Sequence, residues 1–223
     1  MLSSRSRVSI AKLLLQAGSV SVRFDEPFHF TRGIHSPVYV DCQSLLAMPD
    51  LRRRISAAFV KCARTTYPDA QAIVGTATNG VAWAAWLSRD LHLPLAYVYE
   101  NEKSYGHRKK IEGILGGGIK AIIVEHVTAT AEKAVNASQA IRTAGGQPLG
   151  VLAIFAHQLP EASDRLNKAG IRAEALTNLH TILKVAARSG HVSPETEEGI
   201  VRWAKDPVTW SKERGHKVIT ARQ

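Results

Sequence analysis

Aromatic residues make up only 6% of this 223-residue chain, cysteines number two, and the stretch from Met1 to Arg23 contains no acid. The two cysteines, Cys42 and Cys62, have neither CxxC spacing nor a secretory signal before them, which excludes a disulfide-stapled secreted scaffold and argues for a reducing, cytoplasmic setting. No apolar run reaches the roughly 20 residues of a membrane span. The longest, around Val74 to Leu87, is broken by Gly75, Asn79 and Gly80. The histidines include no HExxH and no paired spacing with cysteine, so no metal site is expected from protein ligands alone. There is no internal repeat and no low-complexity tract.

What is present is apolar content of 45%, enough for one well-buried domain over residues 1–223, and a formal charge of +10. Such a charge favours anionic partners: nucleotides, phosphosugars or nucleic acid. Basic residues collect in the N-terminal tail, at Arg52-Arg53-Arg54, from Lys103 to Lys110, and from Lys212 to Arg222. The arginine triplet reads as the solvated face of a helix. The N-terminus has two readings, an organellar transit peptide or a basic tail leading into an amphipathic helix. Val8, Ala11, Leu14 and Leu15 at helical spacing fit the second.

From Phe28 to Asp41, Gly33 and Pro37 punctuate two short alternating strands, a hairpin-like lobe. Pro49 and Asp50 open a helix, Asp50 as its N-cap, that ends near Tyr67-Pro68. Ala72-Ile73-Val74 is a strand leading through Gly75-Thr76-Ala77-Thr78-Asn79-Gly80 into a helix from Val81 to Leu91 that carries Trp83 and Trp86, core or dimer-packing residues. Leu95 to Tyr99 is a second strand, before a polar and mobile loop from Glu100 to Lys110. Lys120 to Val124 is a third strand, followed by a helix to about Ala144, and Leu149 to Phe155 a fourth. Alternating units of this kind predict an α/β fold: a parallel sheet flanked by helices, with ligands at the carboxyl ends of the strands. The organisation expected is an N-terminal helix and hood lobe at 8–45, a sheet core at 50–185, and a C-terminal helix with a basic tail at 190–223, anchored by Trp203 and Trp210. His157, His180 and His191 read as surface or packing residues.

Two sites stand at strand ends. The Gly75 to Gly80 turn has the composition of an anion loop, because glycine lets backbone N–H groups approach a phosphate and the next helix N-terminus adds positive potential. A tight turn without a ligand explains the same residues. The other is Glu125-His126-Val127-Thr128-Ala129-Thr130-Ala131, after the third strand.

Over roughly residues 10 to 210 the order of segments resembles orotate phosphoribosyltransferases. The resemblance is carried by Glu26-Pro27-Phe28, by Gly33 to Asp41, by Gly75 to Gly80, by Ala84-Ala85-Trp86, Tyr97-Val98 and Ile111-Glu112-Gly113, and by Leu152-Ala153-Ile154-Phe155. It implies a type I phosphoribosyltransferase fold with a small N-terminal hood, and a homodimer whose subunits lend each other a mobile loop. The reaction implied joins orotate to phosphoribosyl pyrophosphate with Mg2+, giving orotidine 5'-phosphate and pyrophosphate. By the same resemblance, the turn with Thr76, Thr78, Asn79 and Gly80 holds the pyrophosphate, while Phe28, His35, Ser36 and Tyr39 of the hood cover the base. His126, Thr128 and Thr130 fall in the cradle for the 5'-phosphate, and Lys103 and Glu125 are the catalytic candidates.

The chain departs from the family pattern at its signature motif, a strand ending in two adjacent acids and a glycine-containing turn. Here the acids are Glu125 and His126, and the turn Ala129-Thr130-Ala131-Glu132 has no glycine. Glu132 brings a negative charge to the cradle, worth on the order of 1 to 4 kcal/mol of repulsion. In the loop only Lys103 remains as a family-like cation, beside Tyr99, Glu100 and Tyr105; a slid register would let His107, Arg108, Lys109 and Lys110 substitute. His35 and Gln43 stand where Lys and Arg are common, and Arg32 is an added cation. The expectation is a family member of pyrimidine nucleotide metabolism with a degenerate donor motif, catalytically impaired or repurposed, that still binds a pyrimidine base, nucleotide or phosphosugar. An active orotate phosphoribosyltransferase is the first alternative; a regulatory or nucleic-acid-binding protein on this scaffold is the second.

Overall fold

The computed structural model describes residues 2–30, 34–100, 110–216 and 218. Among them, a six-stranded sheet forms the centre, in the order β10-β9-β8-β5-β6-β7. The strands are β5 (Ala72–Thr76), β6 (Leu95–Val98), β7 (Ile111–Glu112), β8 (Lys120–Thr128), β9 (Gln147–Ala156) and β10 (Ala173–Asn178). All neighbouring pairs are parallel except β6 with β7, which is antiparallel. The chain runs outward from β5 to β6, then returns to place β8 on the other side of β5, so the topological switch point lies between β5 and β8. Ligands of open α/β sheets bind at that crevice, outside the carboxyl ends of the strands.

The strands alternate between two apolar faces. Ile73, Ile122, Val124, Leu152 and Ile154 belong to one core, with α1 (Ser4–Gln16), α2 (Pro49–Thr66), α3 (Val81–Leu91) and α6 (Leu179–Arg188). Ala72, Val74, Ala121, Ile123 and Val151 belong to the other, under α4 (Glu132–Thr143) and α5 (Pro160–Ala169). Burial on both faces is why these strands read as apolar runs. The α/β sheet flanked by helices is thus as expected. Asp50 is not the cap of α2, however: Pro49 already occupies the first turn after Met48, and Asp50 instead pairs with Arg53 one turn on. Arg52 lies over the half-buried Trp86 ring at 4.9 Å, so this part of the arginine triplet covers apolar surface, while Trp83 is fully buried.

The N-terminal lobe contains more pairing than the expected hairpin. β2 (Phe28–His29) pairs with β3 (His35–Ser36), and β4 (Val38–Val40) pairs with β1 (Val20–Val22), a strand absent from the sequence reading. Two C-terminal helices hold this lobe: α7 (Pro194–Lys205), capped by Ser193, and α8 (Pro207–Glu213), capped by Asp206, each with proline in its first turn. The Trp203 indole donates to the His35 carbonyl at 2.8 Å, and the His35 N–H donates to Ser211 Oγ at 3.0 Å. Trp203 and Trp210 therefore anchor the C-terminal helices onto the hood as well as onto the core. No helix among the described residues is long and apolar enough to cross a membrane.

Candidate functional site

At the switch point, the chain after β5 turns tightly into α3. The N–H groups of Ala77 and Gly80 donate to the Val98 and Thr76 carbonyls, both at 2.8 Å. The Ala77–Thr78 peptide bond is cis. Glycine at 75 and 80 has a packing cause. A Cβ on Gly75 would lie 2.9 Å from Val81 Cα, and one on Gly80 would lie 2.3 Å from the Val124 carbonyl oxygen. The anion-loop reading of these glycines thus competes with a close approach of α3 to β8 that needs no ligand. Thr76 and Ala77 border a crevice of about 10 Å³ together with Tyr99, Glu100 and Lys133.

β8 extends four residues beyond its expected end, because Glu125, Val127 and Thr128 pair with Ala153, Phe155 and Ala156 of β9. The candidates Glu125, His126 and Thr128 are therefore held on a strand rather than in a loop. Glu125 is 3% exposed and accepts one hydrogen bond, from Thr128 Oγ1 at 3.3 Å. Burial pushes its carboxyl up to about 7, against the weaker opposing pull of that hydroxyl and of the Lys133 ammonium. His126 is half-buried, with Nε2 3.2 Å from Asn79 Nδ2 across the switch point. Burial first, then Lys133, push its imidazole down to about 4, against Asp41. At neutral pH the pair is a carboxyl that keeps its proton about half of the time beside a neutral imidazole.

The turn after β8 ends with Ala131 at φ 59°, ψ 11°, left-handed, and α4 opens there with no side-chain cap. The turn without glycine thus has its positive φ at an alanine. The left-handed region costs a non-glycine residue roughly 1–2 kcal/mol, partly returned by the smaller backbone entropy alanine loses on folding. Ala131→Gly should therefore raise stability by about 0.5–1 kcal/mol, measured by urea denaturation. Glu132, read from sequence as a negative charge at the cradle, is paired with Arg165 of α5 at 3.2 Å. Lys133 pairs with Glu100 at 3.5 Å.

Between these strand ends and the hood lies a cavity of about 290 Å³. Glu125, His126, Thr130 and Tyr39, candidates from the sequence, line it; so do His29, Phe30, Lys133 and His157, which were not named as site residues. Phe28, His35, Ser36 and Thr128 are not among its lining residues. Phe28 packs against Tyr39 at 5.3 Å, and His35 stacks on His216 at 3.7 Å. The Ser36 hydroxyl donates to the Val38 carbonyl at 2.7 Å, and Thr128 serves Glu125 and borders a neighbouring hollow with Arg7 and Gln158. Thr76 is buried and bonded to the Val124 carbonyl, and Thr78 is exposed on the turn. Lys103 lies outside the described residues, with most of the loop expected at Glu100 to Lys110. Of the histidines read as surface or packing residues, His180 and His191 are exposed, whereas His157 is buried at the cavity. Its position directly after the buried run Leu152 to Phe155, at a carboxyl strand end, was the available signal.

No family model matches the chain. It is, however, 34% identical over 203 residues to the orotate phosphoribosyltransferase of Halalkalibacterium halodurans, covering 91% of this chain and 97% of that one. It is also 34% identical over 201 residues to that of Coxiella burnetii, covering 90% and 96%. The chain belongs to the orotate phosphoribosyltransferase family. Among solved structures, the orotate phosphoribosyltransferase of Aeropyrum pernix superposes with a TM-score of 0.70 at 25% identity, covering 82% of this chain and 99% of that one. Membership of the orotate phosphoribosyltransferase family thus rests on both sequence and fold. The cavity between hood and switch point is where an α/β sheet of this topology places its ligand.

Proposed function

We propose that this family member binds a pyrimidine base or nucleotide in the cavity between the hood and the ends of β5 and β8, and that its phosphoribosyl transfer is impaired. The observation that carries the reading is the Glu125–His126 pair. Two ionised acids at a strand end can accept hydrogen bonds from ribose hydroxyls and stabilise developing positive charge. A buried carboxyl with its proton held up to about 7, next to an imidazole held neutral by burial, supplies little of that charge.

Mg2+, implied by the family, takes oxygen ligands in near-octahedral geometry and is commonly held by one or two carboxylates plus substrate phosphates. Glu125 offers one buried carboxyl already engaged by Thr128, His126 offers nitrogen, and Glu132 and Glu100 are engaged by Arg165 and Lys133. These residues do not fit the ion.

Calorimetry with phosphoribosyl pyrophosphate tests the reading: with Mg2+ present, the expected dissociation constant is weaker than about 1 mM, an affinity of roughly 4 kcal/mol. Micromolar binding would overturn it. That result would favour the second reading, an active transferase, which draws on the left-handed Ala131 and the uncapped start of α4 as a preserved phosphate cradle. A homodimer belongs to the proposal on the strength of the family resemblance, and light scattering measures it. The comparisons lend no support to a nucleic-acid-binding role.

A further inference from the structure

The turn after β5 and the end of β8 are joined by a side-chain contact: Asn79 Nδ2 lies 3.2 Å from His126 Nε2. The backbone brings the two partners together. Gly80 has no Cβ, so the start of α3 seats against the Val124 carbonyl, two residues before His126, where a Cβ would come within 2.3 Å. The Thr76 hydroxyl donates to that same carbonyl at 3.4 Å. On the other side, pairing of Glu125 and Val127 with Ala153 and Phe155 of β9 fixes the backbone around His126. The contact is therefore made between rigid elements. Asn79 itself is half-buried and is not among the lining residues of the cavity between hood and strand ends.

The amide nitrogen of asparagine only donates, and a neutral imidazole carries one donor and one acceptor. Burial first, then Lys133, hold the His126 ring down to about 4 against Asp41, so it is neutral at physiological pH. Nε2 then accepts from Asn79, and the ring proton sits on Nδ1, because the hydrogen bond at one nitrogen sets the protonation of the other. Nδ1 has no hydrogen bond among the described residues and is not one of their buried, unpaired polar atoms, so solvent reaches it. The ring lines the cavity beside Glu125 and the first turn of α4. At the second place of the acid pair a carboxylate would only accept hydrogen bonds; here the cavity meets an N–H.

We propose that Asn79 is a positioning residue that holds His126 as the Nδ1–H tautomer, and that this N–H donates to an acceptor oxygen of the bound nucleotide, a phosphate or carbonyl oxygen. This rests on the reading that the cavity takes a pyrimidine nucleotide, and it names the ligand atom class that His126 meets. Asn79 acts through the imidazole.

The test is 15N NMR of the full chain labelled at histidine, at neutral pH, with calorimetry of uridine 5'-monophosphate and uridine. In the free wild type, His126 Nε2 should resonate as an unprotonated nitrogen and Nδ1 as a protonated one, the reverse of the form that free histidine favours. Adding the nucleotide should shift Nδ1 more than Nε2. Asn79→Ala removes the amide donor; it should move the ring toward the Nε2–H form and weaken nucleotide binding about tenfold, the scale of one hydrogen bond. Asn79→Asp, of nearly the same shape but an acceptor, should place a proton on Nε2. A loss in Asn79→Ala for the nucleotide alone assigns the phosphate oxygen, and an equal loss for uridine assigns a carbonyl. A wild-type Nε2–H tautomer overturns the role of Asn79; it is read without any variant, so a misfolded Asn79→Ala does not shelter the claim. An unmoved Nδ1 resonance with bound nucleotide, or unchanged nucleotide affinity in Asn79→Ala, overturns the donation to ligand and leaves the pyrimidine site standing. Absence of nucleotide binding overturns the pyrimidine-site reading and the ligand half of this proposal with it.

Discussion

Replacing Glu125 with glutamine should stabilise the protein by about 3 kcal/mol above pH 7, with the gain disappearing in acid. The direction follows from where the carboxyl holds its proton: about 7 in the folded chain against an ordinary 4.5, because it is 3% exposed with one hydroxyl partner. Between those two values the folded state binds the proton and the unfolded state does not, so wild-type stability falls as pH rises from about 4.5 to about 7 and stays reduced above that. Glutamine has the shape of the protonated acid and can accept the same hydrogen bond from Thr128, but it cannot ionise. For a chain of this length the gain corresponds to a melting temperature about 6 to 12 °C higher at pH 8. Thermal melts of both proteins from pH 4 to pH 8 check it. A difference independent of pH would mean that water or a counter-ion already pays for the Glu125 charge, and the description of the acid pair would have to be abandoned.

Gly80→Ala should cost about 3 kcal/mol or more, the upper range for forcing atoms into a packed interior. The new methyl carbon would sit 2.3 Å from the Val124 carbonyl oxygen, 2.8 Å from Thr76 Oγ1 and 2.9 Å from the Thr76 N–H nitrogen. Two of these belong to the backbones of β5 and β8, which are central strands of the sheet, so relief requires α3 to lift from the sheet rather than a side chain to swing aside. Thr78→Ala, on the exposed part of the same turn, is the control, expected within about 0.5 kcal/mol of wild type. Urea denaturation midpoints decide between them. A mild effect at Gly80 would show that the turn yields readily, and the glycine would then be better explained by the approach of a ligand than by helix–strand contact.

The parallel sheet was legible because its strands are buried on both faces and appear as apolar runs set off by Gly-rich turns. The last residues of β8 were not. Glu125 and His126 interrupt the apolar pattern, and what extends the strand to Thr128 is pairing with β9, a partner more than twenty positions away in the chain. β1 is three residues long and has meaning only opposite β4, so no local pattern marks it. At the site, substitution of the acid pair could be read directly. Its consequences could not, because they depend on burial: desolvation raises the Glu125 carboxyl to about 7 and keeps His126 neutral, and Glu132 is compensated by an arginine on α5. His157 looked like a packing residue, and it does pack; that its nitrogens stay unpaired depends on Phe30, Phe155 and Trp203 meeting around it from separate segments.

We propose an orotate phosphoribosyltransferase fold retained with a pyrimidine cavity and with impaired phosphoribosyl transfer. The most direct measurement is the initial rate of orotidine 5'-phosphate formation from orotate and phosphoribosyl pyrophosphate with Mg2+, compared with the Halalkalibacterium halodurans relative under the same conditions. The predicted rate is lower by about a thousandfold or more, equivalent to roughly 4 kcal/mol of lost transition-state stabilisation. A rate within about tenfold of that relative would contradict the account and establish this chain as a working member of its family.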